Sequence, residues 1–298
     1  MRIAVAGTGG LARLIGQYIE QETGHHVVFL SRQEQTDLSR NYRVAVVDYS
    51  NTTSLQFALR GIDTVISTVT GPNQIQLIKA AISVRVRRFA PAEFEGLPAL
   101  RPENDLLDRC RSVARQWLAH YSQQIQSTTF VCGILFERFH PGGLRRLGIG
   151  LTSGFSNEGD YIMNCRKMAA EVPCYDSRGN LNVTICITAA QDVAKFVTKA
   201  LDMPQWPSEL RMCGERVTVM NLVHAFNPKS YHDPASLRSE LQIAAINEDR
   251  DRQIQLHALI ATAEGRYDYT EFNANQLFPD VETIKFSNWF VAKWTSET

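Results

Sequence analysis

The chain has no C-x-x-C pair, no internal repeat, no low-complexity run and no excess of charge of either sign. Its 31 basic residues balance 31 acidic ones, so no net field draws it to nucleic acid or to an anionic membrane. No stretch approaches the roughly 20 apolar residues of a transmembrane helix, and the chain opens on a strand pattern rather than on a signal peptide. Six cysteines, at 110, 132, 165, 174, 186 and 213, show neither zinc-ligand spacing nor a disulfide framework. Reduced, mostly buried thiols and no metal are expected. These absences leave a cytoplasmic protein with a small-molecule ligand and no nucleic-acid or membrane partner. Two more absences bear on chemistry: Tyr-x-x-x-Lys occurs nowhere, and no lysine lies between Lys79 and Lys167.

What is present starts at the N-terminus, where the apolar run Ile3-Ala4-Val5-Ala6 ends in Gly7-Thr8-Gly9-Gly10-Leu11-Ala12. An unbroken apolar run fits a parallel strand buried on both faces. Glycines after it permit a tight turn and let backbone N–H groups approach a pyrophosphate. Gly7, Gly9 and Ala12 fit G-x-G-x-x-G/A, with Ala12 at the position of close helix–strand packing. Leu11, Leu14, Ile15, Tyr18 and Ile19 follow at helical spacing, Gly24 stops the helix, and His26 to Leu30 reads as a second strand. This is a βαβ unit of about 30 residues, the context the motif needs. The second strand ends Leu30-Ser31-Arg32, without a carboxylate before Glu34. An acidic residue there would accept from the ribose 2′-OH of NAD, so its absence favours NADP(H). Arg32 is expected on the 2′-phosphate, with Ser31 adding a hydrogen bond and Arg13 a second cation.

Strands and helices keep alternating. Val44–Asp48, Thr64–Val69 and Arg88–Ala90 read as strands, with helices over 53–59 and 74–82 between them. Asn104 or Asp105 is expected to cap a long helix reaching about Gln124, followed by a sixth strand over 128–132. This is an α/β chain: a Rossmann-type doubly wound parallel sheet with a smaller C-terminal substrate lobe. Residues 1–140 are expected to form the NADP-binding domain, its sheet completed by segments near 182–200. Residues 141–298 form the lobe, interleaved with the first domain. Thr68, Val69, Thr70, Pro91, Ala92, Phe94 and Gly133 fall at carboxyl ends of strands, where ligands of such sheets bind. Beyond Gly133 come a loop-like stretch to Gly159, a hairpin turn at 177–180, a strand over 182–188, and a helix opening at Gln191 or Asp192, which Asp192 caps. The segment 228–260 reads as polar and helical.

The glycine run, Arg32, Arg88-Phe89-Ala90-Pro91-Ala92-Glu93-Phe94, Thr129 to Gly133 with Phe136 behind it, Asp192-Val193-Ala194 and Leu277-Phe278-Pro279-Asp280 together resemble the NmrA-like and isoflavone-reductase-like branch of atypical short-chain dehydrogenases, in its fungal form. The resemblance spans nearly the whole chain and is weakest over 225–265. It implies an NADP(H)-binding Rossmann domain, a small substrate lobe, and either reduction of aromatic or polyketide-like secondary metabolites or redox sensing without turnover. Two departures stand out. The family commonly reads G-x-x-G-x-x-G, which would put glycine at 13, where this chain has Arg13. Reductases of the family also carry a lysine acid–base in the helix after the fifth strand, and that position falls on Cys110, between Arg109 and Arg111.

Arginine cannot deliver a proton at neutral pH, so the proton carriers to weigh are Glu93, Glu137 and Cys110. Each has a bland alternative: Glu93 and Glu137 as hydrogen-bond anchors, Cys110 as a small buried thiol. His120 and His140 lack a visible partner. Phe94, Gly133, Phe136, Phe139 and Tyr161 are candidates for an apolar substrate wall, although such residues also serve as core. Three readings follow: an NADPH-dependent reductase of a conjugated carbonyl or imine, a non-redox isomerase, cyclase or dehydratase on the same fold, and an NADP-sensing regulator that binds a protein partner.

Overall fold

The structure, a computed structural model, describes residues 1–103 and 105–296. It divides into two compact units, one of residues 1–94, 109–130 and 193–210, the other of 95–108, 131–192 and 211–298. Among the described residues no helix is long and apolar enough to cross a membrane.

The first unit is built on β1 (Arg2–Ala6), β2 (His26–Ser31), β3 (Arg43–Val46), β4 (Thr64–Ser67), β5 (Arg88–Ala90) and β6 (Gln126–Ser127), with helices α1 (Gly10–Glu22), α2 (Thr52–Leu59), α3 (Pro72–Ser83) and α4 (Arg111–His120). The strands lie in the order β3-β2-β1-β4-β5-β6 and every neighbouring pair is parallel. This is the doubly wound order, and it reverses between β1 and β4. Ala4, Ala6, Val28, Leu30, Val65 and Phe89 bury one face of the sheet against Leu55, Leu59, Leu77, Ile78 and Ala81 of the helices. Asn51 caps α2 by accepting from the Ser54 N–H at 3.2 Å.

Arg88 is fully buried within this unit. It donates to Gln126 Oε1 at 3.0 Å, to the Leu201 and Pro204 carbonyls at 2.9 Å and to the Met203 carbonyl at 2.5 Å, and lies over the Trp206 ring. A cation there meets the carbonyl end of the helix that closes at Ala200, where donors are lacking.

Several sequence expectations are corrected. The helix after β5 opens at Arg111, not near 105, because Arg109 and Cys110 have φ of 49° and 62° and a right-handed helix cannot run through them. Asp105 does not cap it; its carboxylate accepts from the Leu107 N–H at 2.8 Å and from Arg266 at 2.5 Å. Asn104 lies outside the described residues. The sixth strand of the sheet is Gln126–Ser127, and Thr129–Val131 forms a separate strand, β7.

The second unit carries β8 (Ile134–Leu135), β9 (Met163–Asn164), β10 (Ala169–Pro173), β11 (Thr184–Thr188), β13 (Glu215–Thr218) and β14 (Lys229–His232), with the short helices α5 (Gly143–Arg146) and α7 (Val219–Leu222); β12 (Glu209–Arg211) pairs with β7. β11 pairs with β8 and β13, so the segment expected to complete the large sheet belongs to another one. β14 pairs with β10, giving a strand at the start of a segment read as helical; α8 (Pro234–Ile246) and α9 (Arg250–Ala263) supply the rest. The turn at 177–180 forms as expected, with Asp176 accepting from the Arg178 and Asn180 N–H groups. The α6 helix (Ala190–Ala200) opens at Ala190, ahead of the expected start, with Asp192 inside its first turn; the Asp192 carboxylate accepts from the Ile284 N–H at 2.7 Å.

A close helix–strand approach in the first unit falls one turn beyond Ala12, at Gly16 of α1. A Cβ at Gly16 would stand 2.2 Å from the Phe29 ring of β2. Gly16→Ala should therefore lose roughly 1–3 kcal/mol by overpacking, against the gain of about 1 kcal/mol that alanine brings to a helix. A lower thermal midpoint is expected, and a raised one would show that the ring gives way.

Candidate functional site

The carboxyl ends of β1, β2 and β4 leave one part of the first unit open to a ligand. Gly7 follows β1 at φ +106°, and a Cβ on it would stand 2.3 Å from Thr68 Oγ1, so the position is closed to any side chain. Thr68 is fixed there by its hydroxyl, which donates to the Ala6 carbonyl at 2.9 Å. The Gly7 N–H donates to the Leu30 carbonyl at 3.0 Å. Thr8 and Gly9 then lead into α1, whose N-terminus has no side-chain cap and no acidic residue in its first turn. A 13-residue helix with its first N–H groups unmet by the chain is a site for a phosphate oxygen. Gly7, Thr8, Gly9 and Gly10 stay partly open to solvent, while Leu11 and Ala12 are buried.

Arg32 is exposed just after β2 and lines a cavity of about 490 Å³ with Val46, Asp48, Tyr49, Ser50 and Asn73. Ser31 beside it is buried, and its hydroxyl accepts from the Gln33 N–H at 3.3 Å. Arg13 is committed elsewhere: Nε donates to the Thr8 carbonyl at 2.9 Å and Nη1 pairs with Asp37 at 2.7 Å. The expected second cation thus braces the glycine turn, and it holds the exposed Asp37 carboxyl below its usual range. Val69 is tied back through its N–H and carbonyl to Ser67 Oγ, and Thr70 is partly open. Pro91 and Ala92 are buried; the Ala92 N–H donates to Gln74 Oε1 at 2.7 Å, which leaves the sealed Gln74 Nε2 without a partner. Phe94 stacks on Phe130, their centroids 5.9 Å apart.

The proton-carrier candidates are placed as follows. Glu93 is fully buried and paired with Arg115 of α4. Cys110 is part-exposed in a left-handed conformation at the start of that helix. Glu137 belongs to the second unit, where both of its oxygens accept from the Ala190 N–H at 3.0 and 2.9 Å and meet the positive end of α6. Burial drives its carboxyl up to about 7; the Ala190 N–H opposes this and Asp192 adds to it. Gly133 packs where a Cβ would stand 2.1 Å from the Cys186 carbonyl. Phe136 and Phe139 are buried against Phe286, and Tyr161 is buried with its hydroxyl on Thr262 at 2.8 Å. The structure thus packs the expected substrate wall of the second unit into its core. Sequence reasoning missed Gln74, Gly16 and Arg115, whose partners lie far away in the chain. One trio among the described residues, Glu171, His232 and Glu240, brings ligand-type atoms within 4.8 Å, but Arg252 already bonds both carboxylates, at 2.6 and 2.5 Å.

Residues 6–126 match the NAD(P)H-binding family, so the first unit carries an NAD(P)H-binding domain of the doubly wound Rossmann type. The curated relatives include Oxidoreductase BOA1 of Botryotinia fuckeliana, 28% identical over 236 residues, which are 72% of this chain and 71% of the relative. Two solved structures share the fold over 97–98% of this chain. AtPrR2 with NADP+ and (+)pinoresinol has a TM-score of 0.69 and 20% identity, with 97% of its chain covered. The leucoanthocyanidin reductase–NADPH complex of Vitis vinifera has a TM-score of 0.69 and 15% identity, with 99% covered. The match to the NAD(P)H-binding family is confined to residues 6–126, and the chain as a whole shares its fold with isoflavone reductase, at a TM-score of 0.66 and 15% identity over 97% of this chain.

Glu137 makes stability pH-dependent in a fixed direction. Its carboxyl titrates near 7 when folded and near 4.5 when unfolded, so the folded state holds the extra proton between those values. Glu137 then contributes a loss of stability as pH rises from about 4.5 to about 7, of about 3 kcal/mol at most. Urea unfolding at pH 5 and pH 8 should show that loss in the native chain and a smaller one in Glu137→Gln. Equal losses would refute the assignment.

Proposed function

We propose that this protein is an NADPH-dependent reductase of small conjugated carbonyl or imine compounds of the aromatic or polyketide-like kind. The observation that carries the reading is the exposed Arg32 at its cavity, on a domain whose glycine turn ends in an uncapped helix. The curated relative named an oxidoreductase, and the fold-mates with NADP+ or NADPH, support it.

In this reading the N–H groups at the start of α1 take the pyrophosphate, with Gly7 to Ala12 giving it close approach. Arg32, helped by Ser31, takes the 2′-phosphate through charge-assisted hydrogen bonds. Thr68, Val69, Thr70, Pro91, Ala92 and Phe94 flank the rest of the cofactor. When bound, the nicotinamide supplies a hydride; the chain supplies position and dryness. Glu93, locked by Arg115 beside Pro91 and Ala92, keeps that strand end rigid. The start of α4 offers Arg109 and Arg111 but no lysine, so an arginine can polarise a carbonyl there while the proton comes from water or from another group.

The test is NADPH oxidation with conjugated carbonyl and imine substrates, followed by absorbance and by mass spectrometry of products. Cofactor consumed in step with product is expected. Product formed without cofactor would replace this reading with a non-redox isomerase, cyclase or dehydratase, and tight binding without turnover would replace it with a sensor. Arg32→Ala should weaken NADPH about tenfold to a hundredfold, the worth of one or two charge-assisted bonds, and leave NADH nearly unchanged. Equal weakening of both would overturn the NADP preference.

A further inference from the structure

We infer that Asp37 is a specificity-determining residue of the cofactor site: its carboxylate neutralises Arg13, the cation that spans the glycine turn and the segment after β2, and so holds down the preference for NADPH over NADH. This rests on the reading that the glycine turn and the end of β2 receive a dinucleotide, and it goes beyond the part given there to Arg32.

Arg13 is the fourth residue of α1, and its N–H donates to the Gly9 carbonyl at 3.0 Å. Side chains on a helix lean towards its N-terminus, which sets this guanidinium beside the first turn and its unmet N–H groups. Nε there donates to the Thr8 carbonyl of the glycine turn at 2.9 Å. The other end of the guanidinium faces the segment that Arg32 begins: Nη1 pairs with Asp37 at 2.7 Å and Nη2 donates to Gln35 Oε1 at 3.4 Å. One side chain thus bridges the two places that a dinucleotide's pyrophosphate and 2′-phosphate take in this fold.

The acceptors stand on a fixed piece of backbone. Asp37 precedes a 3₁₀ turn over Leu38–Arg40, and Leu38 is buried. The Ser39 N–H donates to the Gln35 carbonyl at 2.8 Å, and the Tyr42 N–H to the Leu38 carbonyl at 3.0 Å. The turn therefore places Asp37, and Arg13 reaches to it. Arg13 in return holds the carboxyl below its usual range, so Asp37 is ionised at neutral pH.

The pair is at the surface, its side chains 38% and 65% exposed. Such a pair adds little to folding. Its consequence is for charge: with Asp37 against it, Arg13 offers no net positive charge to a phosphate. The chain engages three of the five guanidinium N–H donors, so the side chain keeps donors for a phosphate oxygen once the carboxylate is neutral. NADPH and NADH differ only in the 2′-phosphate. A charge beside that group separates the two cofactors, whereas a change in the glycine turn itself moves both.

The test is calorimetric titration of NADPH and of NADH into the full chain, native and Asp37→Asn. The variant should bind NADPH about threefold to tenfold more tightly, the worth of one charge near a surface, and NADH nearly as before. A merely structural brace predicts the opposite sign, with both cofactors weakened. The gain should fade at about 1 M salt, where the screening length drops to about 3 Å. On an Arg13→Gln background, Asp37→Asn should bring no gain, because the carboxylate acts through that cation. If the Arg13 variant fails to fold, Asp37→Asn decides alone. A preference for NADPH that is unchanged or lowered in Asp37→Asn, or a gain that survives the salt or the loss of Arg13, would overturn the inference. If Arg32→Ala weakens both cofactors equally while Asp37→Asn still favours NADPH, the part given to Arg32 falls and that of Asp37 stands.

Discussion

The contact between Thr68 and the bare backbone of Gly7 is the constraint on which the ligand end of the first unit depends. The hydroxyl occupies the place where a side chain at residue 7 would be, and its bond to the Ala6 carbonyl holds it there. Strands β1 and β4 are neighbours across the point where the strand order reverses, so this one contact fixes both walls of the opening. The Gly7 N–H reaches the Leu30 carbonyl and so ties in the end of β2, where Ser31 and Arg32 follow. Three strand ends are thus set by a turn that only glycine can make.

Much of this unit is legible in the sequence because its signals are local. Apolar runs buried on both faces give the strands, the glycine cluster gives the turn, and the absence of a carboxylate before Glu34 bears on the cofactor. What could not be read depends on partners distant in the chain. Arg109 and Cys110 have no residue type that announces a left-handed conformation, so the helix after β5 reads several residues too long. The α6 helix is met at its first N–H by Glu137, 53 residues earlier, so a capping rule applied to its own neighbours picks Asp192. Phe136, Phe139 and Tyr161 carry the same apolar signal whether they line a pocket or fill a core, and only packing separates the two.

Two of the buried carboxylates, Glu93 and Glu137, show why burial alone does not define a catalytic acid. Glu93 has a guanidinium against it, whereas Glu137 is met by backbone N–H groups at a helix start, with Lys293 acting on it through space. The charge that meets Glu137 is partial, so desolvation prevails and its carboxyl rises to about 7. It can hold a proton at neutral pH, yet both of its oxygens are spent on Ala190, which makes its present task that of a helix anchor. Glu93, matched by a full positive charge, locks β5 to α4 and so stiffens the segment that precedes Phe94.

The arginines of the chain divide by what compensates them, and this division orders the site. Arg88 meets helix-end carbonyls, Arg13 meets Asp37 and the Thr8 carbonyl, and Arg115 meets Glu93; all three are structural ties within the first unit. Arg13 uses its length to reach back over the turn, donating to the Thr8 carbonyl. That bracing removes Arg13 from the solvent-facing charges near the glycine turn and leaves Arg32 as the cation lining the cavity. In the proposed reading cofactor preference is concentrated in that one side chain, whereas the pyrophosphate would be received by backbone that substitution elsewhere hardly touches.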